Sequence, residues 1–263
     1  MTPILLLGAG RMGGALIAGW RRAGAFAPDQ LMIRDPAPSA DVLASGALID
    51  PDPAAMSRAR TVLLAVKPQI WREAAASVAP RLANDAIIVS IAAGVAAADI
   101  AVVFSGRRVA RVMPTTAAAI GMGTASVFSS DAEARAAAHA LFGPVGTVVD
   151  LDNEDLMHAA TAVSGSAPAY LYAFVEALEA AGLALNLPPD VARDLARATM
   201  AGAAALMADS GADAADLRRQ VTSPGGTTEA ALQVLMGQGG LSPLLKAAAV
   251  AAAQRSRELG KQP

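Results

Sequence analysis

An α/β protein is predicted, with a parallel sheet wrapped by helices over residues 1–151 and an all-helical segment over residues 152–263. Three features carry that expectation. Apolar runs of strand length alternate with helical patterns in the first half, a glycine-rich turn follows the first run, and no convincing strand occurs from Asn153 to Gly260. Near-continuous apolar strands separated by helices indicate a parallel sheet buried on both faces.

The first strand is Ile4–Leu7, and more are expected at Leu31–Ile33, Thr61–Val66 and Ala86–Ile91, each closed by a turn signal. Arg11–Ala23, Gln69–Leu82 and Ala96–Val103 have helical composition between them. Arg108–Met113, Thr124–Phe128 and Thr147–Leu151 extend the sheet. Beyond Asp152, helices are expected over Asp190–Ala208, Thr228–Met236 and Leu244–Leu259. Their polar faces are thin. Runs such as Ala247–Ala253 need a partner, either a second subunit in an intertwined dimer or an internal core. Glu176 and Glu179 read as a solvated or interface face without a partner.

Composition narrows the function. Hydrophobic residues make up 54% of the chain and aromatics 3%, so small aliphatic side chains must fill the interior. A formal charge of −2 lacks the footprint of a nucleic-acid binder. With no cysteine, a disulfide, a thiol nucleophile and a zinc–thiolate site are excluded, and two histidines, His139 and His158, argue against any metal site. Ile4–Leu7 lacks a positive flank, and Val112–Ser130 is broken by Pro114, Gly121 and Gly123. Neither a signal peptide nor a membrane span is expected, and the expected location is cytoplasmic.

Gly8-Ala9-Gly10-Arg11-Met12-Gly13 fits G-x-G-x-x-G between a strand and a helix, the dinucleotide fingerprint of a Rossmann-like domain. Gly8 permits the tight turn, Gly10 the approach of a pyrophosphate, and Gly13 close helix–strand contact. Arg34-Asp35 at the tip of the second strand should meet the adenosine ribose. Asp35 favours NAD through a 2′-hydroxyl and Arg34 favours NADP through a 2′-phosphate, while a turn ahead of Pro36 explains Asp35 as well. Ala65-Val66-Lys67-Pro68, Ala92-Ala93-Gly94 and Met113-Pro114-Thr115 occupy later strand ends, where ligands bind in open sheets. Lys67 is placed to contact cofactor or substrate and is a catalytic candidate.

Ser164-Gly165-Ser166-Ala167-Pro168 opens a long helix, and Ser166 is expected either to hold an anion with free amides or to act as a plain N-cap. Ser223-Pro224-Gly225-Gly226-Thr227-Thr228 lies between two helical segments. Two glycines and three hydroxyls ahead of a helix form a carboxylate cradle, although an ordinary turn capped by Thr227 explains the loop equally well by itself.

Together these segments resemble the pyrroline-5-carboxylate reductase family through essentially the whole chain, in family order, ending at Arg255–Leu259. The Ser-Pro-Gly-Gly-Thr-Thr loop is the specific element. The resemblance implies a helical dimerisation domain, a homodimer that can assemble further into a decamer, and NADPH as donor with NADH as the other option. It implies hydride transfer to the carbon of a cyclic imine bearing a carboxylate, as the last step of proline biosynthesis. By the same resemblance, the amides of Gly225, Gly226 and Thr227 with the Ser223 hydroxyl hold the carboxylate, and the Thr228 hydroxyl faces the ring nitrogen as a catalytic group. Two positions depart from the family: Thr115 stands where asparagine is usual, and Ala167 where glycine is frequent. Another imine reductase of the same fold is therefore a rival. A β-hydroxyacid dehydrogenase is disfavoured because Ala167–Tyr172 holds no lysine, and a non-catalytic dinucleotide-binding scaffold is disfavoured by the intact substrate loop.

Overall fold

The computed structural model describes residues 1–260. Sheet strands and helices alternate through the first half: β1 (Ile4–Leu7), α1 (Arg11–Ala23), β2 (Leu31–Arg34), α2 (Ala40–Leu43), β3 (Leu48–Ile49), α3 (Pro53–Met56), β4 (Thr61–Leu64), α4 (Trp71–Val78), β5 (Ile87–Ser90), α5 (Ala97–Val103) and β6 (Val109–Pro114). Then follow β7 (Gly123–Phe128), α6 (Ala132–Phe142), β8 (Gly146–Asp150) and α7 (Leu156–Ala160). The eight strands form one sheet in the order β3-β2-β1-β4-β5-β6-β7-β8.

Period-two geometry explains why the central strands are apolar throughout. In β1, Ile4 and Leu6 join the core on one face, with Leu16, Ile17 and Trp20 of α1 and Leu141 and Phe142 of α6. Leu5 and Leu7 join the core on the other, with Trp71, Ala75 and Val78 of α4 and Ile100 of α5. Both faces are dry, so alternation with polar residues is absent. Trp20 shows how the first face is fixed: it is 1% exposed, its ring meets Phe26 edge-on, and its Nε1 donates to the Leu141 carbonyl at 2.7 Å. That carbonyl sits in the last turn of α6, where intrahelical donors run out. Trp20→Phe keeps most of the apolar contact and strips the carbonyl of its donor, so urea denaturation should show a loss of about 1–3 kcal/mol; an unchanged midpoint would show that the bond adds nothing.

The sheet differs from an all-parallel one at a single pair, since β7 runs antiparallel to β6. Only a short 3₁₀ segment, Thr116–Ile120, joins them, and a parallel return needs a crossover of a dozen residues or more. The two-residue β3 had no readable pattern, and its Leu48 is 46% exposed.

Strands end at Asp150, close to the expected change of texture, yet the first compact unit runs on through Ser166 and takes back the chain from Val250. The second compact unit is Ala167–Ala249. It holds α8 (Ala167–Ala184), α9 (Pro189–Ser210), α10 (Ala214–Gln220), α11 (Thr227–Leu235) and the start of α12 (Leu241–Gly260). Within it α8 and α9 pack closely: a Cβ on Gly182 would come 2.9 Å from that of Ala192. Glu179 has a partner after all, Arg197 Nε at 2.8 Å. Leu171 and Tyr172 of α8, with Leu195 and Leu206 of α9, are all more than half exposed, the apolar surface that the thin polar faces led us to expect. No helix among the described residues is long and apolar enough to cross a membrane.

Candidate active site

The fingerprint turn stands where the strand order reverses, with β2 on one side of β1 and β4 on the other, the crevice that open α/β sheets use for ligands. Each glycine has its own physical reason. Gly8 adopts φ 91°, and a Cβ there would meet the Ala65 carbonyl oxygen at 2.8 Å. A Cβ on Gly13 would collide with the Gly8 carbonyl oxygen, so α1 can cross close to β1 only with glycine. Around Gly10, by contrast, a Cβ would find nothing within 4 Å. Gly10 is the N-cap of α1 and supplies no side-chain cap, and the first turn carries no acid. The unpaired amides and positive helix end at Arg11 and Met12 therefore suit a pyrophosphate, and the open space at Gly10 admits it. On this observation the residues fit a dinucleotide.

At the tip of β2, Asp35 is tied to the same turn. Its Oδ2 accepts from the Ala9 amide at 2.6 Å and its Oδ1 from the Ala37 amide at 2.8 Å. The second bond is the expected turn ahead of Pro36, and the first braces the fingerprint. Arg34 points its Nη1 toward Met56 Sδ at 3.8 Å.

The other strand-end candidates line the same edge in sheet order. Ala65, Val66 and Pro68 are half-buried and Lys67 is exposed, its carbonyl accepting from Ile70 in the turn before α4. Ala92 and Gly94 are buried and Ala93 half-buried after β5. Met113 and Pro114 close β6, and Thr115 follows, 7% exposed. The Thr115 amide donates to the Thr124 carbonyl and its Oγ1 accepts from the Thr124 amide, both at 3.0 Å. Its hydroxyl thus fastens β6 to β7.

Ser166 is not the plain N-cap that was one of its two expected roles. Its torsions are helical, its amide donates to the Thr161 carbonyl at 2.8 Å, and Thr161–Gly165 forms a π-helical turn directly after α7. The Ser164 hydroxyl likewise donates to the Ala160 carbonyl at 2.8 Å.

In the second unit, the Ser223–Thr228 loop is a tight turn leading into α11. Gly225 has φ 71° and donates its amide to Glu229 Oε2 at 2.7 Å; the Gly226 amide donates to the Ser223 carbonyl at 3.0 Å. Gly226 is the N-cap and Thr227 the first helical residue, so Thr227 does not cap. The amides of Thr227 and Thr228, and the hydroxyls of Ser223 and Thr228, have no partner among the described residues. Two consecutive open amides at a positive helix end suit a carboxylate.

A further cluster went unread in the sequence. Glu154 Oε1 accepts from Arg111 Nη1 and from the Ala97 amide, each at 2.7 Å, and His158 Nδ1 lies 3.0 Å from Ser256 Oγ. Burial, then the Arg111 and Arg257 charges, hold the His158 pKa below 6.5. The one available signal was Arg111 itself, a cation inside the apolar run of β6.

A glycine-fingerprint sheet carrying an appended helical unit defines the class, a nicotinamide-dinucleotide oxidoreductase. Residues 154–259 match the family model for pyrroline-5-carboxylate reductase dimerisation, and residues 3–94 match that for NADP oxidoreductase, coenzyme F420-dependent. Pyrroline-5-carboxylate reductase from Pseudomonas aeruginosa is 38% identical, covering 99% of this chain and 98% of its own; that from Pisum sativum is 35% identical, covering 96% and 94%. The chain belongs to the pyrroline-5-carboxylate reductase family. Among solved structures, that of a pyrroline-5-carboxylate reductase from Coxiella burnetii superimposes with a TM-score of 0.89 at 30% identity, covering 99% of both chains.

Proposed function

We propose that this protein reduces 1-pyrroline-5-carboxylate to L-proline, the last step of proline biosynthesis, with the first unit holding the donor and the second the carboxylate of the substrate. The observation that carries this reading is the head of α11, where the Thr227 and Thr228 amides and the Ser223 and Thr228 hydroxyls have no partner among the described residues. NADPH is the donor, with NADH as the second option; when bound, it supplies the hydride for the imine carbon. Gly8, Gly10 and Gly13 shape its seat, the Arg11 and Met12 amides hold its pyrophosphate, and Arg34 meets the 2′-phosphate. Ala65–Pro68, Ala92–Gly94 and Met113–Thr115 form the rest of that edge, with Lys67 the exposed cation on it.

The Gly225 and Gly226 amides are engaged within the loop, so their share of substrate binding is shape. They turn the chain so that the Thr227 and Thr228 amides, with the Ser223 hydroxyl, hold the carboxylate. The Thr228 hydroxyl hydrogen-bonds the ring nitrogen and orients it or relays a proton from water. Little acid strength is needed, because a protonated imine is already electrophilic and alignment supplies most of the rate. The exposed apolar helices of the second unit support a homodimer, with a decamer as the larger assembly, working in the cytoplasm.

Steady-state rates on pyrroline-5-carboxylate, its six-membered analogue, an open-chain ketimine and carboxylate-free 1-pyrroline test the substrate. The five-membered carboxylate should give the highest kcat/KM; a preference for another imine would favour the second reading, which the engaged Thr115 hydroxyl keeps in view. Cofactor preference has its own test. Asp35 puts a negative charge beside the place assigned to the 2′-phosphate, so Asp35→Asn should raise the NADPH-to-NADH ratio of kcat/KM about fivefold. An unchanged ratio would leave Asp35 as a brace alone.

A further inference from the structure

The Ala92–Ala97 segment is pinned at two points by groups distant in sequence. At the first, backbone meets backbone. A Cβ on Gly94 would lie 2.7 Å from the Gly260 amide nitrogen and 2.8 Å from the Ser256 carbonyl oxygen. The segment therefore cannot move toward α12 unless the last turn of that helix shifts with it. That turn is held in its place by Ser256, 4% exposed, whose hydroxyl lies 3.0 Å from His158 Nδ1. At the second point, Glu154 Oε1 takes the Ala97 amide at the head of α5, where the N-cap Ala96 has no side-chain acceptor. The same oxygen pairs with Arg111, whose side chain is 6% exposed and would be an unpaired buried charge without it.

Sheet order gives the pinned segment its meaning. The tip of β2 and the tip of β5 lie on opposite sides of the fingerprint, in the order β2-β1-β4-β5. A dinucleotide whose pyrophosphate rests at the head of α1 and whose adenosine reaches β2 must direct its nicotinamide toward β4 and β5. We propose that Glu154 and Ser256 are positioning residues, which fix Ala92–Gly94 and thereby align the nicotinamide end of the cofactor without touching its adenosine end. The inference rests on the cofactor reading above.

Ser256→Ala and Glu154→Gln in the full chain test it with three readouts. Hydrogen exchange at the Ala92–Ala97 amides of the unliganded protein should quicken about threefold or more. The kcat for imine reduction should fall about fivefold. The Kd for 2′-phospho-ADP-ribose, which lacks nicotinamide, should stay within about twofold of wild type. An unchanged kcat, unchanged exchange, or a fragment Kd that weakens in step with kcat would overturn the positioning role. If Glu154→Gln does not fold, Ser256→Ala decides alone. Wild-type protein that binds neither this fragment nor ADP-ribose would overturn the cofactor reading itself, a result visible before any variant is made.

Discussion

Gly10→Val is expected to leave the protein folded while weakening NADPH binding about a hundredfold, roughly 2.7 kcal/mol. Gly10 has φ −66° and ψ −152°, an extended conformation open to any residue, and a Cβ there meets nothing within 4 Å. The added isopropyl group therefore costs the fold little. It fills the space through which a pyrophosphate must approach the Arg11 and Met12 amides. Gly13→Val would be a poor substitute, because its Cβ collides with the Gly8 carbonyl oxygen and folding and binding would fail together. Calorimetric titration beside a thermal melt separates the two effects. Native affinity in Gly10→Val would remove the head of α1 from cofactor binding.

Thr228→Ala should lower kcat/KM at least tenfold, about 1.4 kcal/mol of transition-state stabilisation. The substitution removes the hydroxyl and keeps the backbone amide that is assigned to the carboxylate, so the loss should fall mainly on kcat. Alanine is also a good helix former, and position 228 lies in the first turn of α11, so stability should hold. Thr228→Ser restores the hydroxyl and should recover most of the rate. Near-native kinetics in Thr228→Ala would remove Thr228 from the mechanism, and a rise confined to KM would make it a binding group only.

The parts of this protein that were legible in sequence are those where one local rule decides. α1 begins and ends as expected because a glycine turn precedes it and its apolar stripe is unbroken. β1, β4 and β5 could be read because strands buried on both faces leave continuous apolar runs. β3 could not, because two residues carry no period. β7 was expected as a strand at Thr124–Phe128, but its antiparallel direction was not read, because the length of the link after Thr115, and not any residue within a strand, sets it. At the site, the two glycine loops announced themselves by composition. The internal bonds of Gly225 and Gly226 did not, since Glu229 looks like any acid in a first helical turn. Ser166 misled as a cap for a related reason: serine near a proline resembles one, yet its own torsions are helical. The Arg111–Glu154 and His158–Ser256 contacts join residues 43 and 98 positions apart, beyond the reach of any local pattern.

Coupled oxidation of NADPH with synthetic pyrroline-5-carboxylate, with the product quantified by chiral chromatography and NADH run in parallel, is the most direct test. One L-proline should form for each NADPH consumed, with no oxidation when the imine is omitted. Tight NADPH binding with no imine-dependent turnover would contradict the proposed reaction and leave a dinucleotide-binding scaffold in its place.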